Sequence, residues 1–134
     1  FYSFFLSLIR IPQLVSGWVI DLPLPAIVII ALILLLYVPM GMFLDAFSML
    51  VITLPILFPV VMDLGFDPIW FGILAIKMCE IGLITPPIGL NVYVIAGLDK
   101  DTSLTDVFSG AYWFVVMEVV TIIFIFSFQI FNIY

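Results

Sequence analysis

The chain lacks histidine, contains a single cysteine and has only three basic residues among 134. Without histidine or a second cysteine, Cys79 forms neither an internal disulfide nor a usual zinc site, and we expect it to pack between helices. The basic residues are too few for a nucleic-acid interface or a polybasic lipid-binding patch. They are Arg10, Lys77 and Lys100. We therefore predict that the protein has no nucleic-acid partner.

The sequence also lacks the groups that an intramembrane enzyme uses. It offers no histidine base, no paired acids and no setting that would activate Cys79 as a nucleophile. We therefore predict that the protein is not an enzyme and that it needs no cofactor or metal other than a coupling ion.

Charge is the third shortage, because only 9% of the residues are charged whereas soluble domains have about a quarter. Apolar residues make up 66% of the chain, and its mean hydropathy is +1.46. This composition predicts an all-α polytopic membrane protein that is in contact with lipid. The chain opens with Phe1 and has no charged leader, so we expect it to be an internal piece of a longer protein.

Residues 1–20 are apolar but interrupted by Arg10 and Pro12, which predicts the end of a preceding helix followed by an interfacial segment. Pro23 and Pro25 then allow a new element to start, because proline is tolerated in the first turn of a helix. We expect this element to open a second part of the chain that covers residues 21–98.

Residues 25–64 contain no aqueous loop, yet a straight helix of that length would measure about 60 Å, roughly twice the hydrocarbon thickness of a bilayer. Pro39, Gly41 and Asp45 interrupt the segment near its middle. We therefore predict a re-entrant helical hairpin. Its two strongly apolar arms are residues 25–40 and 46–64.

The next apolar element, residues 68–98, follows the polar turn at residues 63–68 and is also long for one span. Pro86 and Pro87 remove two backbone donors and disfavour a helical residue before them. We therefore predict a discontinuous helix that unwinds around Thr85.

The last part, residues 99–134, consists of a polar loop and a terminal transmembrane helix at residues 107–131. Either Ser103 or Thr105 is suited to cap this helix, because a hydroxyl oxygen accepts hydrogen bonds from first-turn amides.

Two broken elements in succession predict a binding site, because irregular backbone at membrane depth is tolerated only where it is buried in protein or lines a cavity. The ends of the first half-helices have free carbonyls that suit sodium. These carbonyls are expected at residues 41–44 and 82–86. The Thr85 hydroxyl and the Asp45 carboxylate are candidate side-chain oxygens.

The second half-helices begin with free amides, which suit a carboxylate. We expect these amide ends near Ala46 and Ile88, and Asn91 adds a side-chain amide that suits an anionic solute. The alternative is that each proline and glycine merely kinks a helix, as is common in transmembrane segments.

Several single residues permit two interpretations. Asp45 is an ionisable residue predicted deep in the membrane, and it is also suited to cap the second arm. Lys77 and Glu80 lie three apart on one helical face and either neutralise each other or serve ion passage. The role of Glu118 is left open. The late aromatic residues are expected to face lipid or to pack; they are Phe124, Phe126, Phe128 and Phe131.

Three motifs together resemble a known family. GMFLDAF, LPILFPVVMDLGFDPIWFGIL and EIGLITPPIGLNVYVIAGL are similar to the large membrane subunit of TRAP (tripartite ATP-independent periplasmic) transporters. The likeness is close over residues 37–98 and rests on hydropathy in the flanking helices. The order of hairpin, broken helix and final span also resembles the wider ion-transporter superfamily, with one of two inverted repeats present.

The resemblance implies an elevator transporter that imports an organic acid, such as a dicarboxylate or sialic acid, with sodium across the bacterial inner membrane. It implies as partners a small TRAP membrane subunit and a periplasmic solute-binding protein. It also assigns one sodium site to Gly41, Leu44, Asp45, Gly82, Thr85 and Pro86. The residues that we expect to contact the substrate are Ala46, Thr85 and Asn91, from the amide ends and polar side chains at the two breaks. Two alternatives remain: a structural or assembly subunit, and a carrier of the same superfamily that works without a binding protein.

The charge distribution suggests an orientation. If the hairpin opens to the periplasm, the acidic turn at residues 63–68 is outside and the loop with Lys100 is inside, as the positive-inside rule favours.

Overall fold

The computed structural model describes residue 5 and residues 8–86, 88–98 and 102–133. Six helices have described boundaries within these residues. They are α1 Ile11–Ile20, α2 Ala26–Phe43, α3 Ala46–Asp63, α4 Pro68–Ile84, α5 Leu90–Leu98 and α6 Leu104–Ile133. The predicted all-helical fold is confirmed for this part of the chain, whereas Pro87 and Lys100 lie outside the described residues.

Helices α2 and α3 are the two arms of the predicted hairpin, but the break lies later than expected. Pro39 is inside α2, which continues to Phe43. Only Leu44 and Asp45 are extended, and Asp45 caps α3 by accepting a hydrogen bond from the Ser48 amide at 2.9 Å. The predicted end of the first arm at residue 40 was wrong because α2 accommodates Pro39, and the connection is made by the cap at Asp45.

Helix α4 begins with Pro68 in its first turn, and Asp67 caps it by accepting hydrogen bonds from the amides of Ile69 and Trp70 at 2.8 and 2.9 Å. The helix ends at Ile84, and Thr85 is extended, with φ −87° and ψ 134°. The predicted unwinding at Thr85 is therefore confirmed.

Helix α5 starts at Leu90 rather than at Ile88. Gly89 has a positive φ of 47°, and its carbonyl accepts the hydrogen bond from the Val92 amide at 2.8 Å. The amide end of the second half-helix therefore lies two residues later than predicted, because Gly89 has a left-handed conformation and does not belong to the helix.

Helix α6 begins three residues before the predicted start at residue 107. The Ser103 hydroxyl accepts a hydrogen bond from the Asp106 amide at 3.2 Å, whereas Thr105 lies inside the first turn. Of the two candidate caps, the structure selects Ser103.

Helix α4 lies at the centre of the packed helices, between α2 and α6. It contributes more buried apolar side chains than any other described helix, and Cys79 is fully buried among them, as predicted. Tyr37 of α2 is also buried; its hydroxyl is hydrogen-bonded to Thr53 of α3 at 2.7 Å, and its ring meets Phe71 of α4 edge-on. This tyrosine therefore connects three helices.

An aromatic cluster joins α4 to α6. The Trp70 ring stacks on Phe66 and packs against Phe126, each at 5.5 Å between centroids. The Trp70 indole N–H donates to the backbone carbonyl of Ile125 at 3.0 Å. Phe126 is therefore a packing residue, whereas Phe124 and Phe128 are exposed, and the side chain of Phe131 lies outside the described part.

The predicted interfacial segment is the short helix α1, which contacts α3. Ser16 is buried in this contact, and its hydroxyl donates to the Asp63 carboxylate at 2.5 Å. Trp18 is among the most exposed side chains of the described chain, as suits an interface anchor.

Within the described part of the chain, three helices are long and apolar enough to cross a membrane, namely α2, α3 and residues Leu104–Gln129 of α6. Large apolar side chains are exposed along all three. In water such surfaces would be unfavourable, and in a bilayer they are the expected contact with lipid.

Candidate ion-coupling site

The two breaks in the chain are brought together by a glycine contact between α2 and α4. A Cβ atom on Gly82 would stand 2.7 Å from the Val38 carbonyl oxygen and 2.8 Å from the Gly41 Cα. A Cβ on Gly41 would stand 3.0 Å from the Cys79 carbonyl oxygen and 3.1 Å from the Gly82 Cα. The helix backbones therefore touch directly. A side chain at Gly82 requires the backbone to shift, and one at Gly41 requires its neighbours to give by a few tenths of an ångström.

The contact lies in the last turn of both helices. Gly41 is two residues before the end of α2 at Phe43, and Gly82 is two residues before the end of α4 at Ile84. The last four carbonyls of a helix have no partner further along it, and they are the negative end of its dipole. Two carbonyl ends therefore lie side by side in the interior of the protein.

Thr85 follows directly at the end of α4. Its hydroxyl donates to the Ile81 carbonyl at 2.5 Å, and its amide donates to the Gly82 carbonyl at 3.4 Å. Because its proton is directed to Ile81, the hydroxyl oxygen presents lone pairs on its other side. This half-buried oxygen has the chemistry of a cation ligand. Pro86, the next residue, is exposed.

The hairpin tip provides the other predicted ligands. Leu44 is extended, Asp45 is exposed, and Ala46 is the first residue of α3. The hydrogen bond of the Asp45 carboxylate is with Ser48 of its own helix, so the capping role is observed. The structure thus joins Gly41 to Gly82 and leaves the Asp45 side chain engaged at the start of α3.

Asn91 lies in a different place, on the wall of a cleft of about 580 Å³ between α4, α5 and α6. Three carboxylates line the same cleft, namely Glu80, Asp106 and Glu118. No basic side chain is among its lining residues in the described part of the chain. The negative charge of this wall disfavours a carboxylate solute next to Asn91.

Two of these carboxylates, those of Glu80 and Glu118, belong to a charge network with Lys77 that connects α4 to α6. The Lys77 ammonium lies 3.0 Å from a Glu80 oxygen and 3.1 Å from a Glu118 oxygen. The predicted pairing of Lys77 with Glu80 is confirmed, and Glu118 gains a role that spacing along the chain did not reveal. The only signal in the sequence was an isolated acid near the middle of an apolar span.

Comparison with known proteins gives the family. The sequence model described as "Tripartite ATP-independent periplasmic transporter, DctM component" matches residues 1–131. The chain belongs to this family. The resemblance to the large membrane subunit of TRAP transporters is thereby confirmed.

Several curated TRAP permeases are similar over much of the chain. The C4-dicarboxylate TRAP transporter large permease protein DctM of Vibrio cholerae is 36% identical over 114 residues, which are 85% of this chain and 25% of that protein. The sialic acid TRAP transporter large permease protein SiaM of Vibrio cholerae is 33% identical over 87 residues, 65% of this chain and 20% of that protein. The isethionate TRAP transporter permease protein DctMQ of Oleidesulfovibrio alaskensis is 35% identical over 89 residues, 66% of this chain and 14% of that protein.

These relatives are transporter permeases rather than enzymes, and the chain spans about a quarter or less of the length of each. No solved structure matches the chain.

Proposed function

We propose that the chain is part of a TRAP transporter permease that imports an organic acid together with sodium across the bacterial inner membrane. In this proposal the turn between α2 and α3 is the tip of a re-entrant hairpin, and the tip and the unwound loop after α4 move together as in an elevator transporter. The partners are a small TRAP membrane subunit and a periplasmic solute-binding protein.

The observation that best supports this proposal is the backbone contact between Gly41 and Gly82. It places two carbonyl-bearing helix ends next to each other, in a chain whose apolar helices require lipid. Carbonyl and hydroxyl oxygens at discontinuous helices are the ligands that transporters use for sodium. The proposed sodium site is formed by Gly41, Leu44, Asp45, Gly82, Thr85 and Pro86.

For the solute, the proposal retains the amide end at Ala46 and the Thr85 hydroxyl. The first turn of α3 is a helix N-terminus, which attracts a carboxylate, and one of its amides, that of Ser48, is already bound by the Asp45 cap. Asn91 is a weaker candidate for a solute contact than the sequence alone indicated, because the cleft that it lines is acidic. The relatives are named for C4-dicarboxylates, sialic acid and isethionate, all of them organic anions, and we propose the same class of solute here.

The proposal is tested by uptake of a labelled dicarboxylate into proteoliposomes that contain the full permease, both with and without an inward sodium gradient. Thr85→Val keeps the shape of the side chain and removes its oxygen, whereas Thr85→Ser keeps the oxygen. If Thr85 is a sodium ligand, Thr85→Val raises the half-saturating sodium concentration at least tenfold, which corresponds to the loss of about 1.4 kcal/mol. Thr85→Ser stays close to the parent.

Thr121→Val is a matched control. The Thr121 hydroxyl also donates to a carbonyl one turn earlier, that of Met117 at 2.9 Å, but it lies on the exposed side of α6. We expect this variant to leave the sodium requirement unchanged. If uptake by the parent does not depend on the sodium gradient, sodium coupling is ruled out. If Thr85→Val and Thr121→Val raise the half-saturating sodium concentration equally, the Thr85 oxygen is not a ligand.

A further inference from the structure

The network of Lys77, Glu80 and Glu118 is not used by the proposed transport site, yet it places three charged groups in an apolar helix pair. Glu118 depends on Lys77 in particular. One of its oxygens, Oε1, accepts a hydrogen bond from the Lys77 ammonium at 3.1 Å. The other, Oε2, is buried without a hydrogen-bond partner in the described part of the chain. Moving Glu118 away from Lys77 would leave a carboxylate unpaired in a low-dielectric setting, which is strongly unfavourable.

The contacts between α4 and its neighbours show that α6 runs antiparallel to α4. Near the start of α4, Trp70 contacts Ile125 and Phe126; further along, Lys77 contacts Glu118. Beyond the end of α4, a Cβ on Gly89 would stand 3.2 Å from the Phe108 ring. The same α6 helix therefore contacts the beginning of α4, its middle and the unwound loop that follows it.

Phe108 is the point at which α6 contacts this loop. Its ring lies over buried Gly89 and meets Tyr93 of α5 edge-on at 6.3 Å. The Thr85 carbonyl oxygen lies on the same side, 3.3 Å from the position of a Gly89 Cβ. Phe108 thus restricts the space into which Gly89, at the end of this loop, is able to move.

Apolar side chains alone define the register of such a helix pair poorly, because lipid is as apolar as the helices and one leucine-like contact replaces another. A slip of one turn would shift α6 by about 5.4 Å. It would remove Phe108 from Gly89 and separate Glu118 from Lys77. A polar pair within an apolar interface is well suited to prevent this, since only one register satisfies it.

We propose that Lys77 and Glu118 form a positioning pair that fixes the register of α6 on α4 and thereby holds Phe108 against the unwound loop at Gly89. Glu80 has a lesser role: it neutralises Lys77 from the same helix and does not reach α6. The proposal rests on the proposed function only for its effect on sodium, because the packing of the loop is a separate property.

The test combines two readouts on the full permease. A cysteine introduced by Ile88→Cys reports exposure of the loop through its rate of labelling by a water-soluble maleimide; native Cys79 is buried and serves as the background. Sodium-dependent uptake in proteoliposomes reports the coupling site. We expect Glu118→Leu to increase the labelling rate several-fold and to raise the half-saturating sodium concentration. Glu118→Gln keeps an acceptor oxygen for Lys77 and should fall between Glu118→Leu and the parent.

Glu80→Leu is the matched control for Glu118→Leu, because it removes the partner of Lys77 that lies on the same helix. We expect it to leave both readouts near those of the parent. The proposal is overturned if Glu118→Leu labels at the parent rate, or if Glu80→Leu accelerates labelling equally. Should Glu118→Leu fail to fold, Glu118→Gln is compared with Glu80→Gln, and equal labelling rates overturn the proposal. If the parent takes up solute without sodium, the proposed function fails, while the labelling rates still decide the positioning role.

Discussion

The contact between Gly41 and Gly82 gives the sharpest prediction, because the structure states what an added methyl group would meet. In Gly82→Ala the new Cβ would lie 2.7 Å from the Val38 carbonyl oxygen and 2.8 Å from the Gly41 Cα, where ordinary contacts are 3.4–4 Å. Both neighbours are backbone atoms and have no alternative rotamer. Helices α2 and α4 therefore have to separate by roughly 0.6 Å or more at their carbonyl ends.

The change in the unfolding free energy of Gly82→Ala is the sum of two opposing effects. Overpacking of a well-packed interior costs about 1–3 kcal/mol, and backbone neighbours favour the upper end of that range. Replacing glycine by alanine within a helix contributes roughly 0.5–1 kcal/mol of stability in the other direction. Gly72→Ala measures the second effect without the first, because Gly72 lies in the same helix and a Cβ there meets nothing within 4 Å. The difference in unfolding free energy between the two variants should therefore isolate the strain, at about 1–3 kcal/mol.

The assay is thermal unfolding of the purified permease in lipid nanodiscs, together with sodium-dependent uptake for each variant. We expect Gly82→Ala to unfold at a lower temperature than Gly72→Ala and to need more sodium, because the carbonyl ends of the proposed site have moved apart. Gly72→Ala should equal or slightly exceed the parent in stability. If Gly82→Ala matches Gly72→Ala in both measurements, the two helices do not touch at these glycines, and the main support for the proposed site is lost.

Two further predictions concern the start of α4, the helix whose other end contributes to the proposed site, and both use the same unfolding measurement. Trp70→Phe keeps an aromatic ring between Phe66 and Phe126 but removes the indole donor to the Ile125 carbonyl. It should therefore lower the free energy of unfolding by about 0.5–1.5 kcal/mol. A loss as large as the roughly 3–5 kcal/mol expected for Trp70→Ala would contradict the assignment of a single hydrogen bond. Asp67→Ala removes the cap that receives the Ile69 and Trp70 amides and should cost about 0.5–2 kcal/mol, whereas Asp67→Asn keeps an acceptor and should cost less. Equal losses for these two Asp67 variants would show that the cap is not the reason for the effect.

The elements of the fold were predictable where local backbone chemistry determines them. Pro68 after Asp67 starts α4, the Thr85 to Pro87 sequence ends it, and Ser103 starts α6. The errors occurred where a residue type permits two outcomes. Pro39 was expected to end a helix but lies within α2, and Gly89 delays the start of α5 beyond Ile88. Proline and glycine signal a departure from ideal helix without fixing its position.

The candidate site was predictable in part. The sequence pointed to Gly41, Gly82 and Thr85 as residues at breaks, and the structure adds that the two glycines touch. The sequence did not indicate that Asn91 lies in an acidic cleft or that Glu118 pairs with Lys77. These contacts join residues far apart along the chain, and no local pattern records them.

By itself, the sequence determined that this chain belongs in a membrane, that it is helical, and that its helices break between Pro39 and Asp45 and around Thr85. These properties follow from composition and from the restricted backbone of proline and glycine. Only the tertiary structure decided where the first break lies within its segment and which faces meet. Helices α2 and α4 have apolar residues around most of their circumference, so no single stripe indicates a partner. The partner is chosen by a close fit of backbones at Gly41 and Gly82, and by one ion pair between α4 and α6, both of which exist only after the helices have packed.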